Sequence, residues 1–248
     1  MHATHPITTR IANLHKRIAQ AELQYDRTPG SVHLVAVSKT TSPAVIEAAC
    51  HESGLLRFGE NYLQEALPKI LDQRLQQWPI EWHFIGPLQA NKTRAVAAHF
   101  SWVHSVDRLA IAQRLSAQRP AHSPPLNVCL QVNLSQEETK YGMDLQGLHE
   151  LATAVAGLPG LCLRGLMTLP APCQEFTRQR LPFHALRTAF DDLCQRGLAL
   201  DTLSMGMSED FEAAIAEGAT LIRVGSAIFG QRPQTLAPAT PHTLHLSQ

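Results

Sequence analysis

The chain has 248 residues, of which 44% are hydrophobic and 17% are charged. This composition is ordinary for a folded protein with a sizeable core, and the length fits one large α/β domain or two small ones. Basic and acidic residues number 21 each, so the formal net charge at pH 7 is zero. Because no basic stripe is visible, nucleic acid and anionic membrane surfaces are excluded as main partners.

The cysteines and the N-terminal sequence indicate a reducing compartment. Five cysteines occur at wide spacings without a CxxC pair, which predicts free thiols rather than a disulfide framework or a zinc site. The first 24 residues lack the apolar core of a signal peptide, and no run reaches the length of a membrane span. We therefore expect a cytoplasmic protein.

The first predicted element is an amphipathic helix. Its apolar residues recur at spacings of four, three and four, namely Ile7, Ile11, Leu14 and Ile18. The helix is predicted to reach about Tyr25, and "RTPG" at 27–30 ends it.

Eight short β-like runs follow, with helix-like segments between them. The runs are 33–39, 56–61, 81–86, 102–107, 127–133, 161–168, 202–207 and 221–230. Such alternation predicts a (β/α)8 barrel, here preceded by an extra helix, although an open doubly wound sheet uses the same alternation. The count of eight favours the barrel.

Local signals place some of the helix boundaries and the end of the domain. Ser42 and Pro43 predict a helix start, Ser208 to Asp210 predict another, and Pro182 predicts a start or a bend within a helical pattern. We expect residues 1–232 to form one barrel domain. The tail at 233–248 is rich in proline and is predicted to be poorly ordered.

Barrel enzymes bind their ligands at the carboxyl ends of the strands, where Lys39 follows the first run. A lysine among valine and alanine neighbours loses hydration, which favours the neutral amine that Schiff-base chemistry requires. The alternative is a lysine that extends from a strand end into solvent.

The last two strand ends resemble a phosphate site. Ser204 begins a turn of small residues, and Gly225 with Ser226 follows the eighth run. Glycine backbone N–H groups and hydroxyls can hold a phosphate, although these residues also suit a tight turn. A lysine and a phosphate site in one barrel suggest a phosphorylated aldehyde, either pyridoxal phosphate (PLP) or a sugar phosphate in a Schiff-base aldolase.

Arg223 lies within an apolar run and needs a partner if it is buried. One partner is a carboxylate in a salt bridge. The other is the pyridine nitrogen of PLP, which an arginine would leave unprotonated because it does not release its own proton. The cofactor ring would then be a weaker electron sink.

At these residues the sequence is similar to a known family. The segments "VAVSKT", "FGENYLQEA", "WHFIGPLQANK", "VNLSQEETKYG", "GLMT" and "SMGMSEDFEAAIAEGATLIRVGSAIFG" resemble the pyridoxal phosphate homeostasis protein family, in this order, from about residue 7 to Gly230. The resemblance implies a barrel like the N-terminal domain of alanine racemase, of PLP fold type III. It implies a protein that holds PLP for buffering or delivery and makes transient contacts with PLP-dependent apo-enzymes.

The resemblance also implies roles for individual residues. Lys39 would hold the cofactor covalently, and Arg223 would lie near the ring nitrogen. The residues at the phosphate would be Ser204, Gly225 and Ser226, and the residues that line the pocket would be Asn61, His83 and Met205. Lys140 matches a family lysine that would engage the cofactor in transit, or it is a solvated loop lysine.

The sequence does not favour a racemase. Racemisation needs an acid–base group on each face of the adduct, and alanine racemase takes one of them, a tyrosine, from a C-terminal β-domain of its partner. Here 18 residues, without a tyrosine, follow Gly230. We therefore expect a monomeric carrier without efficient catalysis, and a fold-type III racemase or decarboxylase is the alternative.

Overall fold

The computed structural model describes residues 7–134 and 141–230, which form a closed barrel of eight parallel strands in the order β1 to β8. The strands are β1 (His33–Val37), β2 (Arg57–Glu60), β3 (Glu81–Phe84), β4 (Trp102–Val106), β5 (Leu126–Gln131), β6 (Leu161–Met167), β7 (Thr202–Ser204) and β8 (Leu221–Val224). The barrel closes where β1 pairs with β8, with Ala36 opposite Val224. The predicted (β/α)8 barrel is confirmed.

Helices surround the barrel in the described residues. They are α1 (Ile7–Gln24), α2 (Pro43–Ser53), α3 (Leu63–Ile70), α4 (Thr93–His99), α5 (Leu109–Gln118), α6 (Leu148–Ala156), α7 (Phe176–Gln195), α8 (Phe211–Ala216) and α9 (Ser226–Phe229). The extra helix α1 ends one residue before the predicted boundary. None of the helices described here combines the length and the apolar character that crossing a membrane requires.

Two apolar clusters build the core. The larger one fills the shell between strands and helices, and it includes Ile11, Leu14 and Ile18 of α1. The smaller one joins five strands inside the barrel, and its members are Val35, Trp102, Cys129, Met167 and Leu221. Burial of this surface stabilises the fold by roughly 25 cal/mol per Å² of apolar area.

Three local predictions need correction. The last run is a strand only to Val224, and Gly225 then leads into α9. Helix α8 begins at Phe211, because Ser208 to Asp210 form a turn in which the Asp210 carboxylate accepts the Met207 N–H at 2.5 Å. Helix α7 begins at Phe176, six residues before Pro182, and continues through it.

Pro182 is tolerated because of where the helix lies. A proline removes the hydrogen bond to the carbonyl four residues earlier, here that of Arg178. Arg178 is exposed, so water can bind the carbonyl that the helix leaves without a donor. The predicted tail at 233–248 and Lys140 lie outside the described residues.

Strand β6 carries an irregularity that depends on a glycine. Its pairing with β5 shifts by one residue between Leu163 and Gly165, which leaves Arg164 as the extra residue of a bulge. Gly165 then pairs with Thr202 of β7, and a Cβ atom at Gly165 would lie 1.8 Å from the Thr202 carbonyl oxygen.

We predict that Gly165→Ala lowers the free energy of unfolding by at least about 3 kcal/mol, because β6 and β7 must separate to admit the methyl group. Urea unfolding followed by circular dichroism measures the loss. Gly147→Ala is the control, since its nearest neighbour, Met143 Cε, would be 3.8 Å away. Equal unfolding midpoints for the two variants would contradict the prediction.

Candidate functional site

A cavity of about 620 Å³ opens at the carboxyl ends of β1, β6, β7 and β8. This is the face on which barrel enzymes bind their ligands, and the volume suits a small organic molecule. Its walls come from four segments of the described chain: 37–42 with Val45, 170–173, 207–210, and Arg223 with 225–230.

The structure brings four of the sequence-predicted residues together in this cavity. Lys39, Arg223, Gly225 and Ser226 all line it. Lys39 is half-buried two residues beyond the end of β1, whereas Arg223 is almost completely buried at 3% exposure. An amine, a guanidinium and a hydroxyl therefore face the same space.

Ser204 and Met205 do not reach the cavity. Ser204 ends β7 with its side chain inside the barrel, and Met205 is completely buried in the larger apolar cluster. The chain turns at Gly206, which has a φ of 93° and would place a Cβ 2.7 Å from Ala214 Cβ. The turn carries the next residues, rather than these two, to the cavity.

The residues that reach the cavity after this turn are Met207 and Ser208, which the sequence prediction missed. The Ser226 hydroxyl donates to the Ser208 hydroxyl oxygen at 2.9 Å, so two hydroxyls lie side by side at the wall. The motif contains two Met–small pairs in succession, and only the position of the glycine turn distinguishes them. A prediction that placed the turn at Gly206 would have selected Ser208.

Asn61 and His83 also lie outside this cavity. Asn61 lines a second cavity of about 410 Å³ together with Lys92, Arg108 and Tyr141 at the ends of β2 to β4. His83 is completely buried inside the barrel. Lys140, the other predicted lysine, is outside the described residues.

A buried ion pair supports the backbone that carries Lys39. Lys69 Nζ donates to the Ser38 carbonyl oxygen at 2.7 Å and to Glu60 Oε1 at 2.8 Å, and the Ser38 hydroxyl donates to the same carboxylate at 2.5 Å. The Glu60 side chain is fully buried. Burial raises the pKa of Glu60, and the Lys69 ammonium acts in the opposite direction. Removal of either partner would leave a buried charge without compensation.

The residue after Lys39 adopts a strained backbone. Thr40 has a φ of 62°, an uncommon conformation for a β-branched residue. Its N–H donates to Glu65 Oε2 of α3 at 3.1 Å. Such strain persists only where the surroundings enforce it, and it concentrates at functional positions. Contacts from β2 and α3 thus hold both neighbours of Lys39.

A line of polar side chains runs through the barrel towards Arg223. Glu81 Oε1 and His83 Nε2 are 3.0 Å apart, His83 Nδ1 and His104 Nε2 are 2.9 Å apart, and His104 Nδ1 and Ser204 Oγ are 2.7 Å apart. Arg223 Nη1 donates to Ser204 Oγ at 2.7 Å. His104, like Met207 and Ser208, is a functional candidate that the sequence prediction missed.

The charge states along this line follow from burial. Burial lowers the pKa of His83, and burial with the nearby charge of Arg223 holds the pKa of His104 well below its usual value. Burial lowers the pKa of Arg223 to about 10, so the guanidinium stays charged at neutral pH. The hydrogen bond from His83 lowers the pKa of Glu81 to about 2, which keeps it ionised. Two neutral imidazoles therefore connect a carboxylate with a guanidinium.

The sequence of this chain is similar to known proteins over most of its length. Residues 12–233 match the alanine racemase N-terminal domain family. The pyridoxal phosphate homeostasis protein of Pseudomonas aeruginosa is 56% identical over 226 residues, which cover 91% of this chain and 96% of that protein. This chain belongs to the pyridoxal phosphate homeostasis protein family. The family member of Escherichia coli K12 is 51% identical over 227 residues, covering 91% of this chain and 97% of that one.

Solved structures agree with this assignment to the homeostasis protein family. PipY of Synechococcus elongatus, a structure with PLP bound, is 37% identical and superposes with a TM-score of 0.80, covering 91% of this chain and all of that one. Alanine racemase of Corynebacterium glutamicum, at 18% identity and a TM-score of 0.66, covers 93% of this chain and 64% of its own, and shares the fold. The resemblance found in the sequence is confirmed.

For this homeostasis-family barrel we predict that stability falls as the pH is lowered from 7 to 5. The folded pKa values of His83 and His104 lie below the unfolded value near 6.5, so the unfolded chain takes up protons first. Each histidine then contributes a loss of up to about 1.4 kcal/mol per pH unit between its unfolded and its folded pKa. Urea unfolding across this range measures the slope.

His104→Gln should give a shallower pH slope than the wild type, because one of the two buried imidazoles is gone. His122→Gln, at an exposed position, serves as the control and should retain the wild-type slope. A slope that His104→Gln leaves unchanged would show that the buried ring does not carry the pH dependence.

Proposed function

We propose that this chain binds PLP in the 620 Å³ cavity, holds it covalently on Lys39, and thereby buffers or delivers the cofactor without efficient catalysis. The observation that carries the proposal is the meeting of Lys39, Arg223 and the Ser208–Ser226 hydroxyl pair in one cavity. Further support comes from the relatives named as PLP homeostasis proteins and from the PLP-bound structure of PipY.

The donors in the cavity fit the three polar parts of PLP. The ε-amine of Lys39 suits the aldehyde: it bonds to the aldehyde carbon and water is released. The hydroxyls of Ser208 and Ser226, with the backbone N–H groups beside Gly225, suit the phosphate. The guanidinium of Arg223 suits the ring nitrogen, to which it would donate a hydrogen bond.

Close packing also favours a glycine at position 225, independently of the place proposed for Gly225 at the phosphate. A Cβ atom there would lie 3.1 Å from the Val37 carbonyl oxygen, because β1 and β8 approach closely at this point. The glycine therefore lets the first and last strands close, and this closure brings Ser226 to the same wall as Lys39.

PLP, when bound, supplies an electrophilic aldehyde and a pyridine ring that withdraws electrons from an attached amine. Arg223 limits the second property, since a guanidinium does not transfer its proton to the ring nitrogen. Among the described residues, none of the three tyrosines of the chain lines the cavity: Tyr62 and Tyr141 are more than half exposed, and Tyr25 stacks on Phe176. The cavity thus lacks the tyrosine that a racemase would use as its second base.

We further propose that this chain is a cytosolic monomer. It would transfer its PLP to PLP-dependent apo-enzymes. Thr40 and Ser42 at the rim of the cavity are exposed, so the covalent bond on Lys39 is open to water and to competing amines. Access of this kind suits release more than it suits the protection of a reactive intermediate.

We predict that borohydride reduction traps PLP on Lys39. Mass spectrometry of the reduced protein should show one cofactor adduct on the peptide that contains Lys39 in the wild type and none in Lys39→Ala. Lys92→Ala, which removes the lysine of the second cavity, is the control and should keep the adduct. A trapped PLP excludes a Schiff-base aldolase that works without the cofactor.

An adduct that persists in Lys39→Ala, or one found only on another lysine, would overturn the covalent assignment. Loss of the adduct in Lys92→Ala would move the site to the second cavity. Thermal unfolding of both variants establishes that the comparison is made between folded proteins.

A fold-type III racemase or decarboxylase is the second candidate, because the carboxylates of Glu209 and Asp210 do line the cavity. Asp210 already accepts the Met207 N–H, so it is tied to the backbone. We predict that the PLP-loaded protein, incubated with single L-amino acids in deuterium oxide, gives no sustained α-deuteration, D-isomer or carbon dioxide. Turnover that continues over many cycles would establish an enzyme, and its loss in Asp210→Asn would identify the base.

A further inference from the structure

The barrel interior contains a hydrogen-bonded line of polar groups where this fold usually packs branched apolar side chains. We name Glu81, His83, His104 and Ser204 the histidine chain. It starts at the first residue of β3, at the amino end of the barrel, and it ends on Arg223 at the floor of the cavity. Its two imidazoles and its serine are completely buried.

Glu81 determines the direction of the chain. An ionised carboxylate only accepts hydrogen bonds, so His83 must carry its proton on Nε2. A neutral imidazole has one N–H, which leaves His83 Nδ1 as an acceptor. The contact at 2.9 Å therefore requires that His104 Nε2 donates to His83 Nδ1.

The hydrogen bonds between His104 and the cavity run in the same direction. His104 Nδ1 has no proton and accepts the Ser204 hydroxyl at 2.7 Å. Ser204 Oγ, having donated its only proton, accepts from Arg223 Nη1 at 2.7 Å. Every donor thus points from the cavity towards the amino end of the barrel. An extra proton on His83 Nδ1 would oppose the N–H of His104, and one on His104 Nδ1 would force the Ser204 hydroxyl proton to turn away.

Two acceptors hold the guanidinium of Arg223. Ser204 Oγ accepts from Nη1, and the Thr168 carbonyl oxygen accepts from Nη2 at 2.9 Å. Arginine carries five N–H donors, so donors remain for the cavity that it lines. The plane and direction of these donors depend on Ser204, whose hydroxyl orientation depends in turn on His104.

We propose that the histidine chain is a positioning device that fixes the donors of Arg223 towards the ring nitrogen of bound PLP, with its direction determined by Glu81 at the far end of the barrel. The inference rests on the proposed function, because it needs PLP in this cavity. A purely structural role would require only that the buried polar groups be satisfied. If the chain positions Arg223, a substitution at Glu81 must also change the environment of the ring nitrogen of bound PLP.

The first test is the tautomeric state of the two buried imidazoles, which needs no cofactor. Nitrogen-15 NMR of the full-length protein labelled at histidine should show His83 and His104 as neutral rings protonated on Nε2. His104→Phe and His83→Phe assign the signals. An imidazolium, or a proton on Nδ1 in either ring, would refute the direction of the chain and with it the proposal.

The second test follows the cofactor. PLP labelled with nitrogen-15 in its ring is bound to the wild type, to Glu81→Met and to Arg57→Met. Arg57 is the matched control, because it pairs with Glu81 at 3.2 Å on the half-exposed surface and its loss leaves the carboxylate on His83. We expect the ring-nitrogen signal to move in Glu81→Met and to stay in place in Arg57→Met.

A second pair of variants lies closer to the cavity. Ser204→Ala removes one of the two acceptors of Arg223 and should weaken PLP binding about tenfold, the usual effect of losing one hydrogen bond to a charged group. Ser105→Ala also removes a buried serine hydroxyl, one without a partner among the described residues, and should change binding less than about twofold.

The outcomes separate this inference from the function on which it rests. A folded Glu81→Met protein whose ring-nitrogen signal coincides with that of the wild type overturns the positioning role and leaves PLP binding intact. Equal losses of PLP affinity in Ser204→Ala and Ser105→Ala would also overturn the positioning role and leave PLP binding intact. A wild type that takes up no PLP overturns both proposals, and the tautomer experiment still reports whether the chain has the direction described.

Discussion

The guanidinium of Arg223, buried inside the barrel, is the constraint on which the rest of the site depends. A charge in this position is tolerated only if hydrogen-bond acceptors replace its water. Ser204 and the Thr168 carbonyl provide them, and donation of the Ser204 proton to His104 fixes the orientation of the accepting hydroxyl. The polar line through the barrel thus ends on one charged side chain at the cavity floor.

A buried ion pair performs a corresponding task beside the neighbouring strand β1. Glu60 and Lys69 form an ion pair whose energetic contribution is small, because desolvation of the two charges offsets their attraction. Their geometric effect is larger, since both bind Ser38 and so fix the chain immediately before Lys39. The amine and the guanidinium of the cavity thus each rest on a buried electrostatic network that belongs to the barrel, and their relative placement is independent of the exposed rim.

Much of this fold could be predicted from the sequence, because parallel strands buried on both faces read as short apolar runs and because Ser42 and Pro43 marked the start of α2. Single turns limited the prediction of the site. Ser204 and Ser208 are four residues apart in one motif, and the left-handed conformation of Gly206 decides which of them faces the cavity. The prediction of the site was also limited because the pairing register between neighbouring strands cannot be read from the sequence. His83 and His104 are 21 residues apart, and only the register that sets His83 beside Trp102 brings His104 to the same interior line.

The proposed function requires that one fold hold a reactive cofactor without consuming it. Catalysis on PLP requires a ring that withdraws electrons strongly and a base on each face of the adduct. In the proposed site Arg223 would leave the ring nitrogen unprotonated, and the tyrosines of the described chain lie away from the cavity. What the barrel does provide is rigidity at the floor and an exposed rim at Thr40 and Ser42. If PLP binds here as proposed, the site would discriminate by the shape and the three polar ends of its ligand. It would release that ligand by exchange with water or with another amine, so the proposal makes binding and release, rather than bond making at an α-carbon, the steps that matter.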